Sequence, residues 1–150
     1  GENVTLRLLH YPSSGVAAVE RDQMGAGAHT DYGFLTLLFQ DDVGGLQVVD
    51  YSGGWIDVDP LEDAIVVNSG DLLERWTNCK YKSTMHRVLP RIGHRDRLSI
   101  AMFIDPDSAT DVTVLPSCAS AENPARFGPV TAGAHLQSKL EASHKGRFES

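Results

Sequence analysis

The 150-residue sequence is short of most features that mark a specialised environment. It has two cysteines, Cys79 and Cys118, too few for a disulfide framework. Neither stands at zinc-ligand spacing from another Cys or His, so both read as ordinary buried or half-buried residues. A reducing, cytoplasmic setting is expected. The longest apolar runs, such as residues 34–39, are far too short to span a bilayer, and no signal-peptide pattern opens the chain. Basic runs are missing too. With a formal charge of -7 the chain has no stretch suited to tracking a phosphate backbone. Neither membrane nor nucleic acid is an expected partner. There is no internal repeat and no low-complexity segment.

An initiating Met is also missing, and the chain enters directly on a strand-like segment. It reads as the C-terminal part of something longer, with the N-terminal region of that longer chain as an expected partner. The length itself fits one domain, 1–150, with room for a sizeable core.

What is present is a series of short strand patterns separated by Gly-rich turns. Residues 4–11 alternate weakly and stop at Pro12. Residues 16–19 are apolar, and 20–23 read as loop. Further strands are expected at 34–39, 46–49, 55–58, 64–68 (a buried one), 81–89, 97–104 and 112–115, with a turn or two of helix at 72–77. Such spacing predicts an all-β antiparallel sandwich or barrel. Residues 132–143 carry a helical pattern (Ala134, Leu136, Leu140) expected to pack on the outside. Within the single domain, the motifs described below mark a motif-bearing core at about 4–106, with 107–150 as a C-terminal extension carrying the helix.

Two places in this framework carry chemistry. In His29-Thr30-Asp31, a strand would put both side chains on one face, about 6.5 Å apart along the backbone. His86 could supply a third ligand. Two His and one carboxylate on one side of an ion, with positions open opposite, suit oxygen-activating ferrous iron. A lone His-x-Asp is weak evidence; strand context and the later His86 strengthen it. His10, His94, His135 and His144 are not expected to be ligands.

The second place is Arg97 and Ser99, two apart on one strand face. If residues 81–104 form a hairpin about Ile92, His86 faces residue 98, between them. The Arg is either an edge-strand residue reaching solvent or a clamp giving a carboxylate a two-pronged contact, with the Ser hydroxyl as a further donor. Thr84 and Phe103 share the parity of a pocket lining. Trp55 and Trp76 read as core, and Asn68 and Asp71 as turn-shaping residues.

Together these motifs resemble the iron(II)/2-oxoglutarate-dependent dioxygenases, in the isopenicillin N synthase-like branch. The resemblance runs from about Thr5 to Pro106 and includes Gly45-Leu46-Gln47-Val48, Trp55-Ile56-Asp57-Val58, Val67-Asn68-Ser69-Gly70-Asp71 and Lys80-Tyr81-Lys82-Ser83. It implies a double-stranded β-helix, or jelly roll, with iron held by His29, Asp31 and His86. It implies 2-oxoglutarate as cosubstrate, gripped by Arg97 and Ser99 with Tyr11 as helper, and O2 as oxidant, with ascorbate as a stimulant. A small organic molecule would be oxidised, with release of succinate and CO2. Many plant members carry Asn where this chain has Leu9. Alternative readings are an oxidase of the aminocyclopropane-carboxylate oxidase or isopenicillin N synthase type, which uses no 2-oxoglutarate, and a non-catalytic metal-binding jelly-roll module.

Overall fold

Alternating strands need a second layer to bury their apolar faces, and here they find it in each other. A computed structural model describes residues 3–13, 25–90 and 95–145, with side chains to 143. The strands are β1 (Asn3–Tyr11), β2 (Ala26–His29), β3 (Leu35–Gln40), β4 (Leu46–Val49), β5 (Trp55–Asp57), β6 (Val66–Ser69), β7 (His86–Val88), β8 (Arg97–Asp105), β9 (Asp111–Val112) and β10 (Val130–Thr131). Two α-helices, α1 (Asp71–Trp76) and α2 (Ala132–Lys145), and a short 3-10 helix at Pro116–Cys118 complete the elements of the described residues.

The first eight strands form two four-stranded antiparallel sheets, ordered β1-β8-β3-β6 and β2-β7-β4-β5. Consecutive strands mostly alternate between the sheets, which is the winding of a jelly roll. The expected 81–104 hairpin does not form. β7 pairs with β2 and β4, whereas β8 pairs with β1 and β3, so the chain crosses from one sheet to the other between them. The expected apex at Ile92 lies outside the described residues, as do the apolar segment at 16–19 and the loop at 20–23. Local alternation could not reveal the crossing, because a hairpin and a sheet change have the same period.

Other boundaries shift. The strand expected at 81–89 contracts to β7, and that at 112–115 to β9, because the neighbouring residues find no ladder partner. The strand expected to be buried at 64–68 is observed as β6, and Val67 in it and Ile65 just before it are exposed. They belong to an outer apolar face of the first sheet, with Val4, Leu6 and Leu8 of β1 and Leu98 and Ile100 of β8 also exposed.

The tightest cluster lies beyond the sheets. Leu72 of α1, Val112 of β9 and Ala132 of α2 are fully buried, with Phe34, Trp76 and Val130 against them. The expected helix forms as α2, but Ala134 and Leu140 of its expected apolar pattern are exposed, and it packs instead through Ala132 and His135. Among the described residues no helix is long and apolar enough to cross a membrane.

Candidate metal centre and its anion pocket

β2 and β7 are antiparallel neighbours, and His29 stands directly opposite His86 in their register. Opposed residues project to the same face, so both imidazoles enter the space between the sheets. Their ring centroids are 4.3 Å apart. Each ring is held from behind: Nδ1 of His29 donates to the Gly27 carbonyl at 2.7 Å, and Nδ1 of His86 to the Thr84 carbonyl at 3.0 Å. A carbonyl only accepts, so Nδ1 carries a proton, and in the neutral tautomer this selects Nε2 as the nitrogen with the lone pair a metal would need.

Asp31 does not share the strand with His29. β2 ends at His29, and Asp31 sits in the following loop, anchored to α1 by the bond from Asp71 N–H to the Asp31 carbonyl at 2.8 Å. Its carboxylate still converges with the rings: Oδ1 lies 4.0 Å from His29 Nε2 and 3.7 Å from His86 Nε2. The three donor groups lie within 4.8 Å of one another.

The first sheet holds the other carboxylate oxygen. Oδ2 of Asp31 accepts from Thr36 Oγ1 at 2.6 Å and Asn68 Nδ2 at 2.7 Å. Thr36 and Asn68 are register partners on β3 and β6. Asn68 therefore orients the carboxylate instead of shaping a turn, and Asp71 caps no turn either, pairing instead with Lys139 of α2 at 2.7 Å. Sequence reasoning missed the roles of Thr36 and Asn68, and their polarity alone gave no signal, since β3 also carries Gln40 and β6 also carries Ser69.

Two neutral imidazole nitrogens and one carboxylate oxygen form a donor set suited to a divalent first-row metal. Asp31 is 8% exposed, and a buried carboxylate with one oxygen saturated by neutral donors still needs a positive partner at the other. A cation at the meeting point of the two Nε2 atoms and Oδ1 meets that need. The residues fit ferrous iron.

The triad lines a cavity between the sheets whose wall also includes Tyr11, Arg97 and Ser99. Arg97 is 1% exposed, which excludes the reading of an edge-strand Arg reaching solvent. Its guanidinium donates to Ser99 Oγ at 3.1 Å and to Gln40 Oε1 at 3.1 Å, and lies 5.0 Å from the Tyr11 ring centroid. Gln40 was not anticipated. Ser99 and Gln40 fix the guanidinium in the cavity wall, in a geometry that can give a carboxylate a two-pronged contact. Thr84 and Phe103 line the cavity as parity predicted. Trp76 packs on the core cluster, whereas Trp55 stacks beneath Arg87, 4.0 Å from its centroid to the guanidinium carbon. Both cysteines are half-buried. His10 pairs with Asp96 at 2.7 Å, and His135 reaches the Tyr32 carbonyl at 3.1 Å; neither joins the triad.

With this geometry in view, the comparisons agree. The sequence model of the 2OG-Fe(II) oxygenase superfamily matches residues 3–106, and the chain belongs to that superfamily. The chain is 44% identical over 151 residues to the 2-oxoglutarate-Fe(II) type oxidoreductase hxnY of Emericella nidulans, covering all of this chain and 43% of that protein. It is 52% identical over 99 residues to 1-aminocyclopropane-1-carboxylate oxidase 1 of Cucumis melo, covering 65% of this chain and 30% of that one. Among solved structures, a full-length Neurospora crassa protein in complex with alpha-KG and thymine superposes with a TM-score of 0.87 at 40% identity, over 95% of this chain and 45% of that one. The chain thus spans less than half the length of these relatives.

Proposed function

We propose that this chain is the catalytic core of an Fe(II)- and 2-oxoglutarate-dependent oxygenase that oxidises a small organic molecule, with release of succinate and CO2. The observation that carries the reading is the placement of His29, Asp31 and His86 in one cavity with the buried Arg97–Ser99 pair. A metal site alone would fit many proteins; a metal site sharing a cavity with a buried carboxylate clamp fits a chelating diacid.

In this reading His29 Nε2, His86 Nε2 and Asp31 Oδ1 hold the iron. When bound, iron with 2-oxoglutarate supplies the oxygen-activating chemistry that the protein's own side chains cannot. Thr36 and Asn68 keep Asp31 Oδ2 occupied and turn Oδ1 to the metal. Arg97 and Ser99 bind the distal carboxylate of 2-oxoglutarate, Gln40 fixes the guanidinium, and the Tyr11 ring packs over it. The apolar walls contributed by Leu38, Val66 and Val88 exclude water from the cosubstrate.

The N-terminal region of a longer chain would complete the molecule. Its relatives are more than twice as long, and the outer face of the first sheet exposes the apolar row that such a region would cover.

An anaerobic titration of the full-length, Fe(II)-loaded protein with 2-oxoglutarate tests the reading. A saturable visible charge-transfer band is expected, and Arg97→Ala should weaken 2-oxoglutarate binding by about 2–5 kcal/mol. Bound iron with no band would reject it. The similarity to aminocyclopropane-carboxylate oxidase favours one second reading, an oxidase in which Arg97 and Ser99 serve another carboxylate. Stoichiometric succinate formation separates the two. A non-catalytic module would bind metal and form no product.

A further inference from the structure

A second groove lies against the triad, beyond the cavity that holds Arg97. Its lining shares His29, Asp31 and Phe103 with that cavity and adds Arg7, Tyr32 and, from α2, Leu136 and Leu140. The metal centre therefore has two approaches, one ending on Arg97 and the other on Arg7.

Arg7 occupies an unusual position. Strand parity puts Arg7 on the same face of β1 as Leu9 and Tyr11, and both of these line the inner cavity. Arg7 is exposed there, at the rim of the groove and not in a packed core. Its guanidinium carbon lies 5.4 Å from the centroid of the Phe103 ring. A guanidinium stacked by its face keeps its N–H donors in its plane, free at the edge for a two-pronged contact. Among the described lining residues Arg7 is the one Lys or Arg, set against the carboxylates of Asp31, which belongs to the metal triad, and Asp105, and Leu136 and Leu140 add apolar surface.

We infer that this groove receives the primary substrate, and that Arg7 selects for a small organic acid whose carboxylate it binds while the apolar body lies against Phe103 and the α2 leucines. The inference rests on the oxygenase reading for what happens to the substrate, but recognition by Arg7 is readable without turnover. A site built to pair a charge rejects the neutral isostere, because the guanidinium gains nothing from it.

The test is anaerobic calorimetry on the full-length protein loaded with Fe(II) and saturating 2-oxoglutarate, with benzoate and its neutral isostere benzamide as probes. Benzoate should bind saturably at least about tenfold more tightly than benzamide. Added salt should weaken benzoate binding and leave benzamide unchanged. Arg7→Gln should abolish the discrimination while 2-oxoglutarate affinity, read from the charge-transfer band, stays within about twofold. Arg97→Ala should do the reverse, costing 2-oxoglutarate affinity and sparing benzoate. Equal binding of the two probes, no benzoate binding into the millimolar range, discrimination that survives Arg7→Gln, or benzoate competing with 2-oxoglutarate through Arg97 would each overturn the inference. A missing charge-transfer band alongside intact Arg7-dependent discrimination would instead reject the oxygenase reading and leave Arg7's role standing.

Discussion

At the scale of single residues, the centre depends on a division of labour within one carboxylate. Asp31 gives Oδ2 to Thr36 and Asn68 and leaves Oδ1 facing the imidazoles. Without those donors the carboxylate would be free to rotate or to bind metal through both oxygens. Asn68→Leu is therefore expected to lower metal affinity by about 10–100-fold, as loss of outer-shell partners typically does. Thr36→Val should act in the same direction. Anaerobic metal titration measures both effects, and an unchanged affinity in the double variant would show that Asp31 needs no such support. His29, Asp31, His86 and Arg97 could be singled out by residue type, although the strand spacing expected for His29 and Asp31 does not hold, because Asp31 lies in the loop after β2. Thr36, Asn68 and Gln40 were not, because their roles exist only across strands that are distant in sequence.

At the scale of elements, the decisive junction is where the loop after β2 meets α1. The N–H groups of Gly70, Asp71 and Leu72 donate to the carbonyls of Phe34, Asp31 and Gly33. The helix start is thus satisfied by the loop that carries Asp31. Gly70 makes this approach possible: a Cβ there would overlap the Gly33 carbonyl oxygen and crowd that of Asp31. Gly70→Ala should destabilise the protein by about 1–3 kcal/mol and loosen metal binding with it. Gly27→Ala serves as the control, because its Cβ would meet open space, and a change within about 0.5 kcal/mol is expected. Denaturant unfolding compares the two, and equal losses would refute the close-approach argument. The turn reading of Asp71 failed at this junction. Its carboxylate instead reaches Lys139, joining α1 to α2.

At the scale of the whole molecule, acid should weaken the packing of α2. His135 is 6% exposed, and burial holds its imidazole below the ordinary value of 6.5, with Lys139 and Arg75 adding to the effect while the Tyr32 carbonyl and Asp71 oppose it. A depressed histidine contributes stability above its unfolded value and loses it as pH falls below 6.5 toward the folded value. Asp71 adds a loss at lower pH. Burial pushes its carboxyl up, but the bonds from Lys139, Ser83 and Thr30 outweigh burial and hold it below 3.8. Asp105 runs the other way: burial chiefly raises it, the Phe34 N–H opposes, and the Asp31 charge adds to the rise, so its contribution fades as pH rises. Tm should fall between about pH 7 and about pH 5, and less steeply in His135→Gln, whose amide can still donate to Tyr32. An identical slope in that variant would remove His135 from the account.

The sequence by itself determined which residues could do chemistry and roughly where strands begin. Side-chain type and period-two alternation are local properties, readable one segment at a time. Which sheet each strand joins was decided only by the tertiary structure. So was the capture of Asp31 by the opposite sheet, and the placing of Arg7 and the α2 leucines in one groove beside the metal centre. Those outcomes depend on which distant segments bury one another's apolar faces, and alternation along a single strand carries no record of its partner.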